Sequence, residues 1–134
     1  MGFHKTKTKG DIGVAHTIAR LTELGWSVGV CVSEHAKYDL FAEKDGIVHT
    51  VQVRYTTPTD NKVRVPLSSS CQSRCTFTRR ARKTRDYTLL AVYVPGAGVY
   101  FVKDEELGSH FFIMRLGQRK GHRQMRWAED YETP

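Results

Sequence analysis

Three side chains that could do chemistry lie near the ends of two adjacent predicted strands. Asp39 is near the start of the first strand, and Gln52 and Arg54 are near the end of the second. In an antiparallel pair those two ends lie side by side, and residues two apart on a strand point to one face. We therefore expect a carboxylate, an amide oxygen and a cation to converge. This set can bind a divalent ion and stabilise charge on a phosphate, which is the chemistry of phosphodiester hydrolysis.

A β-hairpin over residues 38–55 is predicted to position these side chains. Polar and apolar residues alternate over residues 38–43 and again over residues 47–55, and Lys44, Asp45 and Gly46 supply turn residues between the two runs. An Asp-Gly pair between two alternating runs is a strong signal for a short hairpin turn. The strand ends opposite that turn should carry the three candidate residues.

The segments on either side of the hairpin predict a helix and further strands. Residues 11–24 carry a modest apolar stripe at helical spacing. Asp11 suits the N-terminal end of that helix, although helical turns can begin earlier among the lysines, and Gly25 is the expected C-terminal stop. Residues 26–32 and 62–67 predict strands, Pro66 placing the second at an edge. Residues 88–94 form a nearly continuous apolar run, which is typical of a strand covered on both faces.

The C-terminal third predicts three more elements and two anchors. Residues 99–102 should run back beside the apolar strand after a Pro-Gly turn, residues 104–108 should form a short helical turn, and residues 111–116 another strand. Trp127 and Tyr131 are expected to anchor the tail on the core. The order of elements predicts one α+β domain over residues 1–134, with a mixed β-sheet and an N-terminal helix packed on one face.

Composition favours a single globular domain with a polyanionic partner. The chain has 134 residues, of which 40% are hydrophobic and 26% charged, and a formal net charge of +7. Its three cysteines are unevenly spaced, so no disulfide framework is expected, and a reducing, cytoplasmic location is the simpler interpretation. No segment approaches the roughly 18 apolar residues of a membrane span, and no signal peptide is predicted.

A basic stretch over residues 68–85 is the second candidate for function. Eight Lys or Arg and no Asp or Glu occur between Asn61 and Arg85. Such a loop can neutralise phosphates or enter a major groove, and a simply solvated loop is the alternative. Cys71 and Cys75 do not have the spacing of a zinc site. Arg64 belongs to the same predicted DNA-binding set as the residues of this loop. That set is Arg64, Arg74, Arg79, Arg80, Arg82, Lys83 and Arg85.

Two long motifs place the chain beside a known family. The text GDIGVAHTIARLTELGWSV, followed by SEHAKYDLFAEKDGIVHTVQVRY, resembles the PD-(D/E)XK group I intron homing endonucleases, and the later YTLLAVYVPGAGVYFV is similar to their closing strands. The resemblance implies a restriction-endonuclease-like core with a basic DNA-binding loop. It also implies an intron-encoded, Mg²⁺-dependent, site-specific endonuclease that hydrolyses double-stranded DNA. A homo-oligomer, dimer or tetramer, is expected because one small domain can hardly cover a long site.

The same resemblance assigns roles and reveals two departures. Asp39 matches the motif aspartate, Gln52 the metal-binding amide, and Arg54 the position of a catalytic lysine. Arginine keeps the charge but is effectively never deprotonated, so it cannot act as a general base. A glutamate that many PD-(D/E)XK proteins carry on the first helix is replaced here by Val14. Groups expected close to the metal without binding it directly are Asp11, Glu34 and His35.

These departures keep other functions open. The first alternative is a DNA-binding protein built on a catalytically weakened nuclease core. The second is a nuclease of the same fold that resembles a Holliday-junction resolvase or acts on RNA. Both alternatives keep the predicted α+β architecture, so the fold alone does not separate them.

Overall fold

The N-terminal helix is longer than its apolar stripe. The computed structural model describes residues 5–67, 69–73, 76–80, 86–121 and 125–134, of which 69–73 and 76–80 as backbone only, and helix α1 spans Lys5–Glu23. Asp11 is therefore an exposed residue in the second turn and not the N-terminal cap. The predicted stop is confirmed, because Gly25 has a φ of +86° and its N–H donates to the carbonyl of Thr22 at 3.0 Å.

A five-stranded mixed sheet forms the centre of the domain, in the order β1-β2-β3-β7-β8. Only β3 and β7 run parallel, and the other neighbours in this sheet are antiparallel. The predicted mixed sheet with a helix on one face is thus confirmed. Its strands are β1 (Ser27–Val30), β2 (Leu40–Lys44), β3 (Ile47–Tyr55), β7 (Leu89–Val94) and β8 (Gly98–Lys103).

The β2–β3 hairpin closes on the predicted turn. Asp45 and Gly46 have φ values of 52° and 82°, which is the backbone of a two-residue hairpin turn that favours an Asp-Gly pair. The N–H of Gly46 donates to Oε1 of Glu43 at 2.9 Å. Because β3 is nine residues long and β2 only five, the end of β3 extends beyond the start of β2.

Helix α1 packs closely against one face of the sheet. Leu21, Leu40, Val51 and Leu89 are completely buried there. Gly13 permits the close approach, because a Cβ atom at this position would lie 3.3 Å from Cγ1 of Val53. The alternation along β3 is thereby fixed: its odd-numbered side chains face α1 and its even-numbered ones face away.

The opposite face of β7 and β8 is covered by a separate pair of strands. β4 (Lys62–Pro66) and β9 (Phe111–Arg115) form an antiparallel two-stranded sheet, here called the ribbon, instead of joining the main sheet as expected. Their buried residues alternate with exposed ones, so the ribbon buries one side and exposes the other. The reason is that both faces of β7 are apolar and the second face needs a cover. The buried ribbon side chains are Val63, Val65, Phe112 and Met114.

The segment predicted as a basic loop contains a hairpin. β5 (Ser69–Ser73) and β6 (Thr76–Arg80) pair as antiparallel strands, so an irregular loop over the whole of 68–85 is wrong. Residues 68, 74–75 and 81–85 lie outside the described residues. The tail anchors are confirmed: Trp127 is 8% exposed, and the ring of Tyr131 packs edge-on against Phe112 at 5.5 Å. Among the residues that the structure describes, no helix is long and apolar enough to cross a membrane.

Candidate active site

A β-bulge places Asp39 at the start of β2. Leu40 is the register partner of Val51, and the carbonyl of Val51 also accepts the N–H of Asp39 at 2.8 Å. Two consecutive residues of one strand therefore face a single residue of the other, which defines a bulge. Regular continuation of the β2–β3 register would place Asp39 opposite Gln52. The structure instead shifts Asp39 back by one residue, and bulges commonly redirect a side chain in this way next to active sites.

The redirected carboxylate and the amide of Gln52 meet the main chain of the same residue. Oδ2 of Asp39 accepts the N–H of Val53 at 2.9 Å, and Nε2 of Gln52 donates to the carbonyl of Val53 at 3.4 Å. The pairing of β2 with β3 ends at Leu40 and Val51. The N–H and carbonyl of Val53 point to the side of β3 on which β2 would lie if the pairing continued. Both side chains consequently occupy the gap where the two strands separate.

Arg54 projects from the face of the sheet that is turned away from α1. Gln52 and Arg54 alternate with the buried Val51 and Val53, and in the parallel pairing they are the partners of Leu90 and Val92. The Nε atom of Arg54 is buried and has no hydrogen-bond partner among the described residues. An unpaired buried donor is costly, and the permanent positive charge of this guanidinium suits it to bind an anion.

The carboxylate of Asp39 and the amide oxygen of Gln52 are suitable ligands for a divalent ion that keeps most of its waters. Within the described residues, no group of three or more His, Cys, Asp or Glu side chains lies close enough to hold a metal. Mg²⁺ prefers oxygen ligands and keeps several waters, so one carboxylate and one amide oxygen suffice. The donation by Nε2 of Gln52 leaves its Oε1 as the atom to face such an ion.

Three other predicted residues lie outside this immediate pair. Asp11 is exposed on α1, and Glu34 and His35 are exposed in the turn between β1 and β2. In this turn the N–H of His35 donates to Oγ of Ser33 at 3.4 Å, which is a local contact. Their place beside a metal stays a prediction.

The predicted DNA-binding residues are only partly described. Arg64 is exposed on β4, on the outer side of the ribbon. Arg79 and Arg80 belong to β6, whose side chains are not described. Arg74, Arg82, Lys83 and Arg85 lie outside the described residues. Lys62 was not among the predicted DNA-binding residues. The structure shows that it is paired with Arg115 across the ribbon, which makes the two cations neighbours.

Comparison with known proteins identifies the family of this chain. The family model of the PD-(D/E)XK endonucleases matches residues 4–134. The chain belongs to the PD-(D/E)XK endonuclease family. Its membership makes it a DNA endonuclease, and PD-(D/E)XK nucleases generally use divalent metal ions. The family resemblance predicted from the two motifs is therefore confirmed.

A solved structure shows the same fold as this PD-(D/E)XK endonuclease. The bacterial homing endonuclease I-Ssp6803I superposes with a TM-score of 0.74 over 95% of this chain and 88% of that chain, with 22% sequence identity. At this identity the likeness establishes the fold alone. A comparison with curated proteins gave no match.

Proposed function

We propose that this endonuclease is an intron-encoded enzyme of the homing type that cuts double-stranded DNA at specific sites with Mg²⁺. In this proposal Asp39 and Gln52 bind the metal and Arg54 binds the scissile phosphate. The observation that carries it is the meeting of a carboxylate and an amide at the main chain of Val53, at a gap in the sheet. The fold that this chain shares with a bacterial homing endonuclease supports the homing type.

Each residue has a separate task in this site. The hydrogen bond from the N–H of Val53 to Oδ2 holds the carboxylate of Asp39 in place, so the metal would meet a preorganised ligand. The permanent charge of Arg54 is suited to stabilise a phosphate but not to remove a proton from water. A bound divalent ion would supply an activated water and further charge stabilisation. Proton removal then falls to solvent or to the substrate, which slows turnover relative to a lysine-containing site.

Replacement of Asp39 tests the site directly. Asp39→Asn keeps an oxygen that can accept the N–H of Val53 but removes the negative charge, whereas Asp39→Ala removes both. We expect both variants to lose at least about a hundredfold in Mg²⁺-dependent cleavage, since even indirect partners of a metal contribute 10- to 100-fold. The assay measures linear product from a supercoiled plasmid that carries the intronless target gene, with EDTA as the control. Undiminished cutting by Asp39→Asn would contradict the proposed site.

A weakened, DNA-binding core is the second candidate. The observation in its favour is the arginine at the position that the family resemblance gives to a lysine, whose buried Nε has no hydrogen-bond partner among the described residues. Arg54→Lys separates the two. A large gain in cleavage rate means an enzyme that is slow because of this arginine. Tight duplex binding without cutting by either form supports the binding protein. A four-way junction and an RNA of the same sequence, added as competitors, distinguish the remaining substrates.

We further propose that the enzyme acts as a homo-oligomer, and the open edge of β1 supports this. The N–H of Cys31 donates to the carbonyl of Asp39, so the main-chain groups of odd-numbered residues on β1 form the hydrogen bonds to β2. The main chains of Val28 and Val30 then point outward, away from the sheet. Val30 is 63% exposed, and residues 26–33 contain no charge that would oppose strand pairing. Two copies related by a two-fold axis at Gly29 can exchange hydrogen bonds through these outward groups.

A disulfide at the proposed two-fold axis tests this edge. Gly29 would face its own copy in a non-hydrogen-bonded pair, where Cα atoms are about 4.5 Å apart and a disulfide can form. A Cβ atom fits there, because it would lie 3.9 Å from Cβ of Phe41, an ordinary van der Waals distance. With all native cysteines changed to Ser, Gly29→Cys should give a covalent dimer on a non-reducing gel, and Ile47→Cys, which is also at an exposed position, should not. Equal cross-linking of the two variants contradicts pairing at β1.

A further inference from the structure

The outer side of the ribbon brings three cations together on two neighbouring strands. Lys62 lies directly opposite Arg115, and Arg64 is opposite Ile113. Neither strand contains an Asp or Glu. No ion pair joins any of the three cations to an acid within the described part of the chain, whereas Arg119 is paired with Glu129 and Asp130.

The pairing of Lys62 with Arg115 is unfavourable for the isolated protein. The N–H of Leu116 donates to the carbonyl of Asn61 at 2.8 Å. Because hydrogen-bonded and non-hydrogen-bonded pairs alternate, the next pair, Lys62 and Arg115, is non-hydrogen-bonded. Side chains approach most closely in such pairs, and like charges directly opposite each other are destabilising. Folding gains nothing from this arrangement, which therefore indicates an anionic partner outside the chain.

The surroundings of these cations suit a phosphate backbone. An open cavity of about 460 Å³ lies beside them, lined by Lys62, Arg64 and Arg115 together with the hydroxyl-bearing Thr57 and Thr59. The cavity lining also includes Asp60, the one acid at this place. Three positive charges and two hydroxyl groups against one carboxylate leave a clear excess of groups that bind phosphate oxygens.

The centre of the ribbon carries groups that can contact bases. The guanidinium of Arg64 lies over the ring of Phe111 at 3.9 Å, which holds it in place on the exposed side. Ile113, beside it, is 38% exposed. Arginine can bind guanine through two hydrogen bonds, and an apolar side chain can contact the methyl group of thymine.

We infer that the outer side of the ribbon is a second DNA-binding surface, which enters the major groove of the duplex. Lys62 and Arg115 bind phosphates, and Arg64 and Ile113 contact base edges. The major groove admits a two-stranded ribbon, and five residues extend about 17 Å, or roughly five base pairs. This inference rests on the proposed duplex substrate, and it assigns recognition to a surface separate from the metal-binding pair.

Salt dependence of binding tests the phosphate contacts. A labelled duplex of mixed sequence is titrated, without divalent metal, against the wild type, Lys62→Ala, Arg115→Ala and the double variant. Each lost contact should lower the slope of log affinity against log salt by about 0.9. Arg20→Ala is the matched control, because Arg20 is an exposed cation on α1 that is already paired with Glu23. An unchanged slope in the double variant overturns the inference.

Two further readouts separate DNA binding from a structural role. Removing a like-charge pair should leave the melting temperature of Lys62→Ala equal or higher, whereas a structural lysine would lower it. Selection from a random duplex library should lose sequence preference at one position in Arg64→Ala, and retained preference argues against base contact. If these variants bind like wild type while cutting still needs Asp39, only the ribbon inference fails. If wild type binds no duplex at all, the proposed function fails.

Discussion

The face of the sheet turned away from α1 has two unlike halves. Under the ribbon, Leu90, Val92 and Val94 are completely buried. On β2 and β3, the same face carries Phe41 at 37% exposure and Val48 at 60%. The first half is closed by β4 and β9, and the second half holds the candidate active site at its end.

This difference separates stability from catalysis within one layer of the protein. A covered strand gains free energy from every apolar side chain, so it has no room for an unpaired polar group. An uncovered strand can present Gln52 and Arg54 to a substrate, at the cost of leaving apolar neighbours in water. Substitutions in the two halves should therefore affect different measurements.

The largest expected effect is on stability in the covered half. Phe112→Ala should lower the free energy of unfolding by about 3–5 kcal/mol, because the ring is 1% exposed and its loss leaves a cavity. Urea denaturation measures the change. Phe111→Ala, next to it on the exposed side of the ribbon, should cost less than about 1 kcal/mol. Equal losses for the two variants would mean that the ribbon is not closed against the sheet as described.

In the open half, stability and activity should change in opposite directions. Arg54→Met removes a buried donor that has no partner in the described part of the chain, so we expect a gain of about 1 kcal/mol in the free energy of unfolding. Cleavage should fall at least about a hundredfold, because the charge that binds the phosphate is gone. Urea denaturation and plasmid cleavage measure the two quantities on one preparation. A variant that is less stable than wild type would show that this arginine supports the fold instead.

The smallest effect concerns His49, on the α1 side of the strand that carries Gln52. Burial, and then the positive charge of Lys103, lower the pKa of His49 from its ordinary value of 6.5. The neutral ring bonds through Nδ1 to Oγ1 of Thr88 at 3.0 Å. The stability from this neutral histidine is fully present above pH 6.5 and is lost as the pH falls through the lowered pKa of the folded state.

His49→Gln should make unfolding midpoints less dependent on pH between about pH 8 and pH 5. The effect should be smaller than the two above, because the ring is only partly buried. Cleavage by this variant at neutral pH should stay close to wild type, since His49 faces away from the phosphate site. An identical pH dependence in variant and wild type would exclude His49 as a source of the acid sensitivity.

Local signals in the sequence predicted the helix and most strands, but they did not predict which distant strands pair with each other. The Asp45-Gly46 turn, the stop at Gly25 and the doubly buried β7 each depend on a few consecutive residues. The ribbon joins Lys62 to Arg115, more than fifty positions apart, and both strands have the pattern of ordinary edge strands. A separate two-stranded sheet therefore could not be distinguished from two more strands of the main sheet.

The candidate site was predicted by residue type and only roughly by position. Spacing along β3 correctly put Gln52 and Arg54 on one face. The sequence placed Asp39 near the adjoining strand end but did not predict the bulge, because no local pattern indicates the extra residue. The contact of both side chains with Val53 became visible only in the structure.

The bulge at Asp39 also sets where the chain can change in length. Insertions or deletions within residues 33–37, an exposed link, leave the strand pairing beyond them intact. Deletion of Asp39 would remove the extra residue of the bulge together with the carboxylate that accepts the N–H of Val53. Variation among natural or engineered forms should accordingly be free on one side of Tyr38 and absent on the other.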